Sequence, residues 1–331
     1  MRQHRLINLL GLAVLCVTGC NSKPNSGDAS ATASYPSKAI TLICPWAAGG
    51  GTDRISRFVA DALQRELGQP VIVVNKTGGS GAVGHSGGAL ARPDGYTLTM
   101  VTFELSTMRW MGISDLTWTN FEPILQLNGD AAAILVRNDA TWNTLNEFLD
   151  SVRKAPGQVK MSGTATGGAW DLARAGLLLA ANLPVNSILW IPTQGAAPSL
   201  VELLGGHIDA VCCSVPEAAA QIEAGQVKVL AVMAPSRLKE YPDLKTAREQ
   251  GVEWDAVGWR GLAAPKGTPR DVINRLSETC RRITQSESFQ QFMSKNGFAM
   301  AVQGADEFAQ FLRQQEAQWQ GVIQAAGYAK K

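Results

Sequence analysis

Ile40-Thr41-Leu42-Ile43-Cys44-Pro45-Trp46-Ala47-Ala48-Gly49-Gly50-Gly51-Thr52-Asp53 reads as a short apolar strand, a glycine-rich turn and the start of a helix. Thr52 stands as a helix N-cap, and Ile55, Phe58, Val59, Ala62, Leu63 and Leu67 follow at helical spacing until Gly68 stops the run. In open α/β sheets such a turn lies at the carboxyl end of a strand, where ligands bind. Glycine lets backbone N–H groups come close to a ligand. The helix start adds unpaired N–H groups and a partial positive charge, so the motif suits an anion.

Working outward, the alternation continues. Val71 to Val74 is a second strand, Gly78 to Gly81 a second glycine loop leading to a short helix that ends near Ala91, and Tyr96 to Val101 a third strand. A second unit begins near Asn138. Thr144 and Glu147 have capping-box spacing ahead of Leu145, Phe148, Leu149 and Val152. Then come strand Val159 to Met161, the glycine turn Gly163 to Gly168, a helix to about Asn182, strand Ile188 to Ile191, and helix Ala197 to Leu204. Strand Ile208 to Cys213, helix Glu217 to Ala224 and strand Val227 to Met233 complete the unit, and from Pro269 the chain is mostly helical. Strands alternating with helices predict largely parallel sheets covered on both faces. Strand, glycine turn and helix recur in both units, which favours a cleft with one anion site on each side.

The N-terminus carries a different message. Arg2 and Arg5 precede the apolar run Leu6 to Val17, too short for a membrane-spanning helix, and Val17-Thr18-Gly19-Cys20 fits a lipobox. Residues 1–19 are expected to be a lipoprotein signal peptide, with Cys20 as the lipid anchor. Residues 20–35, rich in Ser, Ala, Asn and Gly, have the composition of a flexible tether. The chain has 30 basic and 28 acidic residues, and loss of Arg2 and Arg5 leaves it neutral. No basic cluster points to nucleic acid, and the membrane is expected to be met only through the lipid. The remaining length of about 300 residues suggests two domains. Cys44, Cys212, Cys213 and Cys280 lie in apolar strand or helix patterns and read as buried thiols.

Competing motifs fit less well. Gly79-Ser80-Gly81-Ala82-Val83-Gly84 matches a dinucleotide fingerprint with Glu104 at ribose distance, but its helix is short and broken by Gly87-Gly88. Gly84-His85-Ser86-Gly87-Gly88 matches a hydrolase elbow, which would make the protein an exported serine hydrolase using Ser86 and His207. That elbow should follow a strand directly, and flexible glycines precede this one. No Cys or His spacing suits a metal, and no cofactor is indicated.

Taken together, the loops resemble the extracytoplasmic solute receptors of tripartite tricarboxylate transporters, the Bug family. Pro45 to Asp53 is similar to the family's opening P-[FW]-x-x-G-G-G-x-D, and Val71 to Gly81 with Pro93-Asp94-Gly95-Tyr96-Thr97-Leu98 to its next motif. Ser162-Gly163-Thr164 to Gly168, Gln194-Gly195-Ala196-Ala197-Pro198, Gly258-Trp259-Arg260-Gly261 and Ala264-Pro265-Lys266-Gly267-Thr268-Pro269 follow in order. The resemblance implies an α/β, two-lobed periplasmic-binding-protein fold of type II-like form, with the ligand cleft between lobes. Lobe 1 would comprise residues 36–137 and 259–331, and lobe 2 residues 138–258. It implies a non-enzymatic receptor that binds a small di- or tricarboxylate through backbone N–H groups and hydroxyls and delivers it to a membrane permease. A ligand sensor for a signalling system would use the same cleft.

The residues expected at the ligand are Trp46, Ala48, Gly49, Gly50, Gly51 and Thr52 in the first loop, with Ser80, Gly81 and Glu104 beyond it. Ser162, Gly163, Thr164, Gly167, Gly168, Gln194 and Gly195 are expected opposite them. Asp171 would disfavour an anion if it faced the cleft. Glu104 either points away or reads an ammonium, hydroxyl or protonated group.

Overall fold

The first unit folds around β1 (Ile40–Cys44), which pairs in parallel with β2 (Val71–Asn75) on one side and β3 (Thr97–Thr102) on the other. The computed structural model describes residues 35–330, so the signal peptide, Cys20 and nearly all of the tether lie outside the described residues. Between β1 and β2 runs α1 (Gly51–Leu67), which buries Ile55, Val59, Ala62 and Leu63 and ends at Gly68 in the left-handed conformation. Its N-cap is Gly50, not Thr52. Thr52 lies inside the first turn, where its hydroxyl accepts a hydrogen bond from Arg260. The short α2 (Ala82–Ala89) links β2 to β3.

Next comes a strand that the local pattern does not announce. β4 (Phe121–Arg137) is 17 residues long. As far as Ala131 it pairs antiparallel with β9 (Val257–Pro265), and from Ala132 it pairs antiparallel with β7 (Ala210–Ser214), then also β8 (Val227–Val232). β4 thus passes from one half of the molecule into the other. The second half adds α3 (Leu145–Lys154), β5 (Val159–Ser162), α4 (Ala169–Ala180), β6 (Ile188–Trp190), α5 (Ala196–Leu204) and α6 (Ala219–Glu223). α3 starts at the expected cap: the Thr144 hydroxyl accepts from the Glu147 amide. After β9 the chain forms α7 (Arg270–Gln285), α8 (Glu287–Lys295), β10 (Met300–Gln303), α9 (Ala305–Gln318) and α10 (Gln320–Ala325).

Among the described residues the strands run β2-β1-β3-β9-β4-β7-β5-β6, with β8 and β10 also on β4. The expectation of largely parallel sheets therefore needs correcting. Each half keeps a parallel three-stranded core, β2-β1-β3 and β6-β5-β7. Every pairing of β4 and β9 is antiparallel, because those strands carry the chain between halves rather than close a βαβ unit. No helix among the described residues is long and apolar enough to cross a membrane. Cys44, Cys212, Cys213 and Cys280 are free and buried.

Candidate functional site

A cavity lies where strand ends from both halves meet. Its walls are the turn and first residues of α1 (Trp46, Ala47, Gly50, Gly51, Thr52), the end of β3 with the turn after it (Thr102, Phe103, Glu104), and Gly258-Trp259-Arg260 of β9. Facing them are Thr164 with Ala169 and Trp170 of α4, Gly195 to Pro198 at the start of α5, and Glu217.

Arg260 is the cationic centre of the cavity wall. It is 4% exposed, and each of its three guanidinium nitrogens makes a hydrogen bond. Its Nε donates to Thr52 Oγ1 at 2.9 Å, Nη1 to Asp130 Oδ2 at 2.8 Å and Nη2 to Glu217 Oε1 at 2.9 Å. Asp130 comes from β4 and also accepts from the Ala299 amide at 2.9 Å, while Glu217 follows β7 and accepts from the Ser214 amide at 3.2 Å. The guanidinium is thus held by two carboxylates. It shapes the wall and orders the start of α1 rather than presenting a free fork to an anion.

A second network holds Glu104. Its Oε1 accepts from the Ala169 amide, the first residue of α4, at 2.9 Å, and its Oε2 accepts from the Thr102 hydroxyl. Trp46 Nε1 donates to the same hydroxyl at 3.2 Å. The Thr102 amide donates to His85 Nε2 at 3.2 Å, so the His85 proton sits on Nδ1, which donates to the Gly81 carbonyl at 2.8 Å. Burial holds His85 neutral, its pKa pushed down to about 4 despite the Gly81 bond. Burial raises the Glu104 carboxyl above its ordinary value, opposed by the Thr102 and Ala169 donors.

Three helix starts border this space, and they are used differently. The first amide of α4 is taken by Glu104. The first-turn amides of α1 and those of Ala196 and Ala197 at the start of α5 have no acceptor among the described residues. Protein groups also bridge the cavity's two sides directly. The Ala47 amide donates to the Gln194 carbonyl at 3.1 Å, and Ser80 Oγ donates to the Thr166 carbonyl at 2.8 Å.

Of the residues read from the sequence, Trp46, Gly50, Gly51, Thr52, Glu104, Thr164 and Gly195 line the cavity. The others are not among its lining residues. Ala48 is on the exposed tip of the first turn; Gly49 has φ +83° and gives its amide to Asp53 at 2.9 Å. Gly81 packs under Trp46. The Ser162 hydroxyl meets Ser199 Oγ at 3.0 Å, and Gly163 lies so close to the Cys212 carbonyl that a Cβ would come within 2.0 Å. The Gly167 amide donates to Asp171 at 2.9 Å, and Gly168 caps α4. Gln194 contributes its carbonyl to Ala47. Asp171 does not line the cavity: it pairs with buried Arg174 at 2.6 Å and accepts from Tyr328 at 3.2 Å.

Sequence reading missed Arg260, Glu217, Trp170, Trp259 and Thr102 as wall residues. The Gly258-Trp259-Arg260-Gly261 motif was the one signal that could have marked Trp259 and Arg260. The hydrolase motif is displaced: Gly84 to Gly88 lie within α2, well after β2 has ended at Asn75, and His207 is an exposed residue bonded to Glu202 at 2.9 Å.

Residues 55–328 match the model of the tripartite tricarboxylate transporter family receptor. The chain is 28% identical over 334 residues to protein BugT of Bordetella pertussis, covering 99% of each. Among solved structures it is similar to the periplasmic binding protein BugD, with 30% identity and a TM-score of 0.84, covering 90% of this chain and 100% of that one. A TctC solute binding protein from Polaromonas is 36% identical with a TM-score of 0.65, covering 88% of this chain and 99% of that one. The chain belongs to the tripartite tricarboxylate transporter receptor family, periplasmic solute-binding proteins of α/β fold and not enzymes.

Proposed function

We propose that this protein captures a small di- or tricarboxylate in the cavity between α1 and α5 and hands it to the permease of a tripartite tricarboxylate transporter. The observation that carries the reading is the pair of helix starts, α1 and α5, which border one cavity and whose amides meet no acceptor among the described residues. Amides fixed in this way are ready-made donors for a carboxylate. Arg260, already neutralised, leaves them the principal anion donors.

The two lobes are residues 36–137 with 259–331, and residues 138–258. The change of partners along β4 supports two lobes, although it falls between Ala131 and Ala132, a few residues before 137. Ligand contacts from both lobes would favour the closed arrangement over the open one. The receptor sits in the periplasm or cell envelope, held by lipid on Cys20.

A thermal-shift screen of the purified full-length chain against mono-, di- and tricarboxylates tests the ligand class, since binding to the folded state raises the melting point. Failure of every carboxylate to shift it would sink the reading. Deleting the protein should abolish uptake of the ligand so identified by cells that carry the permease. Cys20→Ser should leave the protein unprocessed or in the soluble fraction; unchanged membrane fractionation would exclude the anchor.

A further inference from the structure

Two carboxylates line the cavity, and they differ in one respect. Glu217 is paired with Arg260 at 2.9 Å. Glu104, 3% exposed, has no cation within ion-pair distance among the described residues. Its two oxygens are fixed without a full positive charge, by the Ala169 amide at the partly positive start of α4 and by the Thr102 hydroxyl, and Trp46 and neutral His85 hold Thr102 in turn. The nearest charged cluster supplies no cation to spare, because Arg260 faces Asp130 as well as Glu217. With all of them ionised, three carboxylates share one guanidinium.

A carboxylate buried without a counter-charge is costly. The cost is recovered when a ligand brings the cation. Each carboxylate oxygen can accept more than one hydrogen bond, so the existing donors leave lone pairs on Glu104 available. The same cavity holds acceptor-free donors for an anion: the α1 and α5 amides, and the indole N–H of Trp259, which is 1% exposed and has no acceptor among the described residues.

We propose that the ligand bears an ammonium group as well as a carboxylate, and that Glu104 is the residue that selects for it. The proposal rests on the cavity being the carboxylate site. The amides would take the carboxylate, and Glu104 would take the ammonium as a charge-assisted hydrogen bond. A plain dicarboxylate would leave Glu104 unpaired and set a second negative group near it, which is repulsive.

The test is titration calorimetry on the full-length chain with pairs that differ only in the amino group: L-aspartate and succinate, L-glutamate and glutarate, L-alanine and propionate. In any pair that binds, the amino member is expected to bind at least about tenfold tighter. Glu104→Gln keeps an acceptor for the Ala169 amide, reverses the bond to Thr102 so that the side-chain amide donates to the hydroxyl, and should bring the ratio close to one. Equal affinity within each pair, preference for the deamino member, or a preference that survives in Glu104→Gln overturns the proposal. Should the variant fail to fold, the wild-type ratios alone decide. If the deamino members bind tightly, the carboxylate reading stands and only the ammonium is lost; if nothing in the carboxylate series binds, both fall.

Discussion

Glu217 Oε1 lies 2.9 Å from Arg260 Nη2, joining the turn after β7 to the middle of β9 at the point where a Cβ on Gly51 would strike both side chains. One buried guanidinium therefore ties together β9, β4 through Asp130, α1 through Thr52, and the second half through Glu217. One hydrogen bond, from Arg260 to Thr52, thus ties the start of α1 into this network.

Arg260→Met should consequently destabilise the chain by about 3–5 kcal/mol, since it leaves Asp130 and Glu217 buried without their cation. Urea denaturation would measure it. Adding Glu217→Gln to the same variant should restore part of the loss, because one uncompensated charge is removed. A single variant within about 1 kcal/mol of wild type would show that the network contributes little.

The buried imidazole of His85 makes stability depend on pH. Its pKa is pushed from the usual 6.5 down to about 4 in the folded chain. The unfolded chain binds the proton first, so the contribution is fully present above about pH 6.5 and is lost as pH falls towards 4. The loss should be on the order of 3 kcal/mol across that window. Comparing denaturation midpoints of wild type and His85→Gln at pH 7.5, 6 and 4.5 checks it: the wild-type midpoint should fall more steeply with acid, and parallel curves would refute the assignment.

Two glycines of the loops should behave differently when changed to alanine. Gly49 has φ +83° and open space around a Cβ, so Gly49→Ala carries only backbone strain, about 1 kcal/mol. Gly163→Ala would press its Cβ to within 2.0 Å of the Cys212 carbonyl, a backbone group on β7 that cannot swing aside. It should cost more than about 2 kcal/mol. Equal losses would mean that the second turn relaxes more easily than its packing suggests.

The thiols should be inert until the chain unfolds. Burial pushes Cys44 up to about 11 and Cys280 up to about 12, and raises Cys212 and Cys213 as well. Little thiolate forms near neutral pH. Mass mapping after brief treatment with an alkylating reagent should find these four positions unmodified in the native chain and all modified in denaturant. Rapid labelling of Cys212 or Cys213 in the native chain would contradict their burial.

Local periodicity carried much of the architecture. The strands around β1 and β5 and the helices α1, α3, α4 and α5 each follow from residues close in sequence, and the glycine turns mark strand ends that face the cavity. What escaped was β4. Pro123 and Gly129 interrupt its apolar run, and Gln126, Asn128 and Asp130 look like loop residues. They are buried all the same: distant groups satisfy Asp130, the Ala299 amide and Arg260, and Asp130 in turn accepts from the Asn128 side-chain amide.

By itself, then, the amino-acid sequence determined the α/β alternation and the two glycine-turn helix starts; the expectation of Trp46 and Gly50 to Thr52 at a ligand cleft leaned on the family resemblance. The alternation and the helix starts depend on neighbours along the chain, where spacing reports which face is buried. The tertiary structure alone decided that Arg260 is neutralised, that Asp171 turns away to Arg174, and that Glu104 points inward onto the first amide of α4. Each of these rests on a partner supplied by another element: Arg260 meets Asp130 across 130 positions and Glu104 meets Ala169 across 65. A charged side chain looks the same in a sequence whether it is paired or not. Only the folded arrangement of β4, β9 and α4 determines which carboxylate already has its cation and which is left facing the cavity.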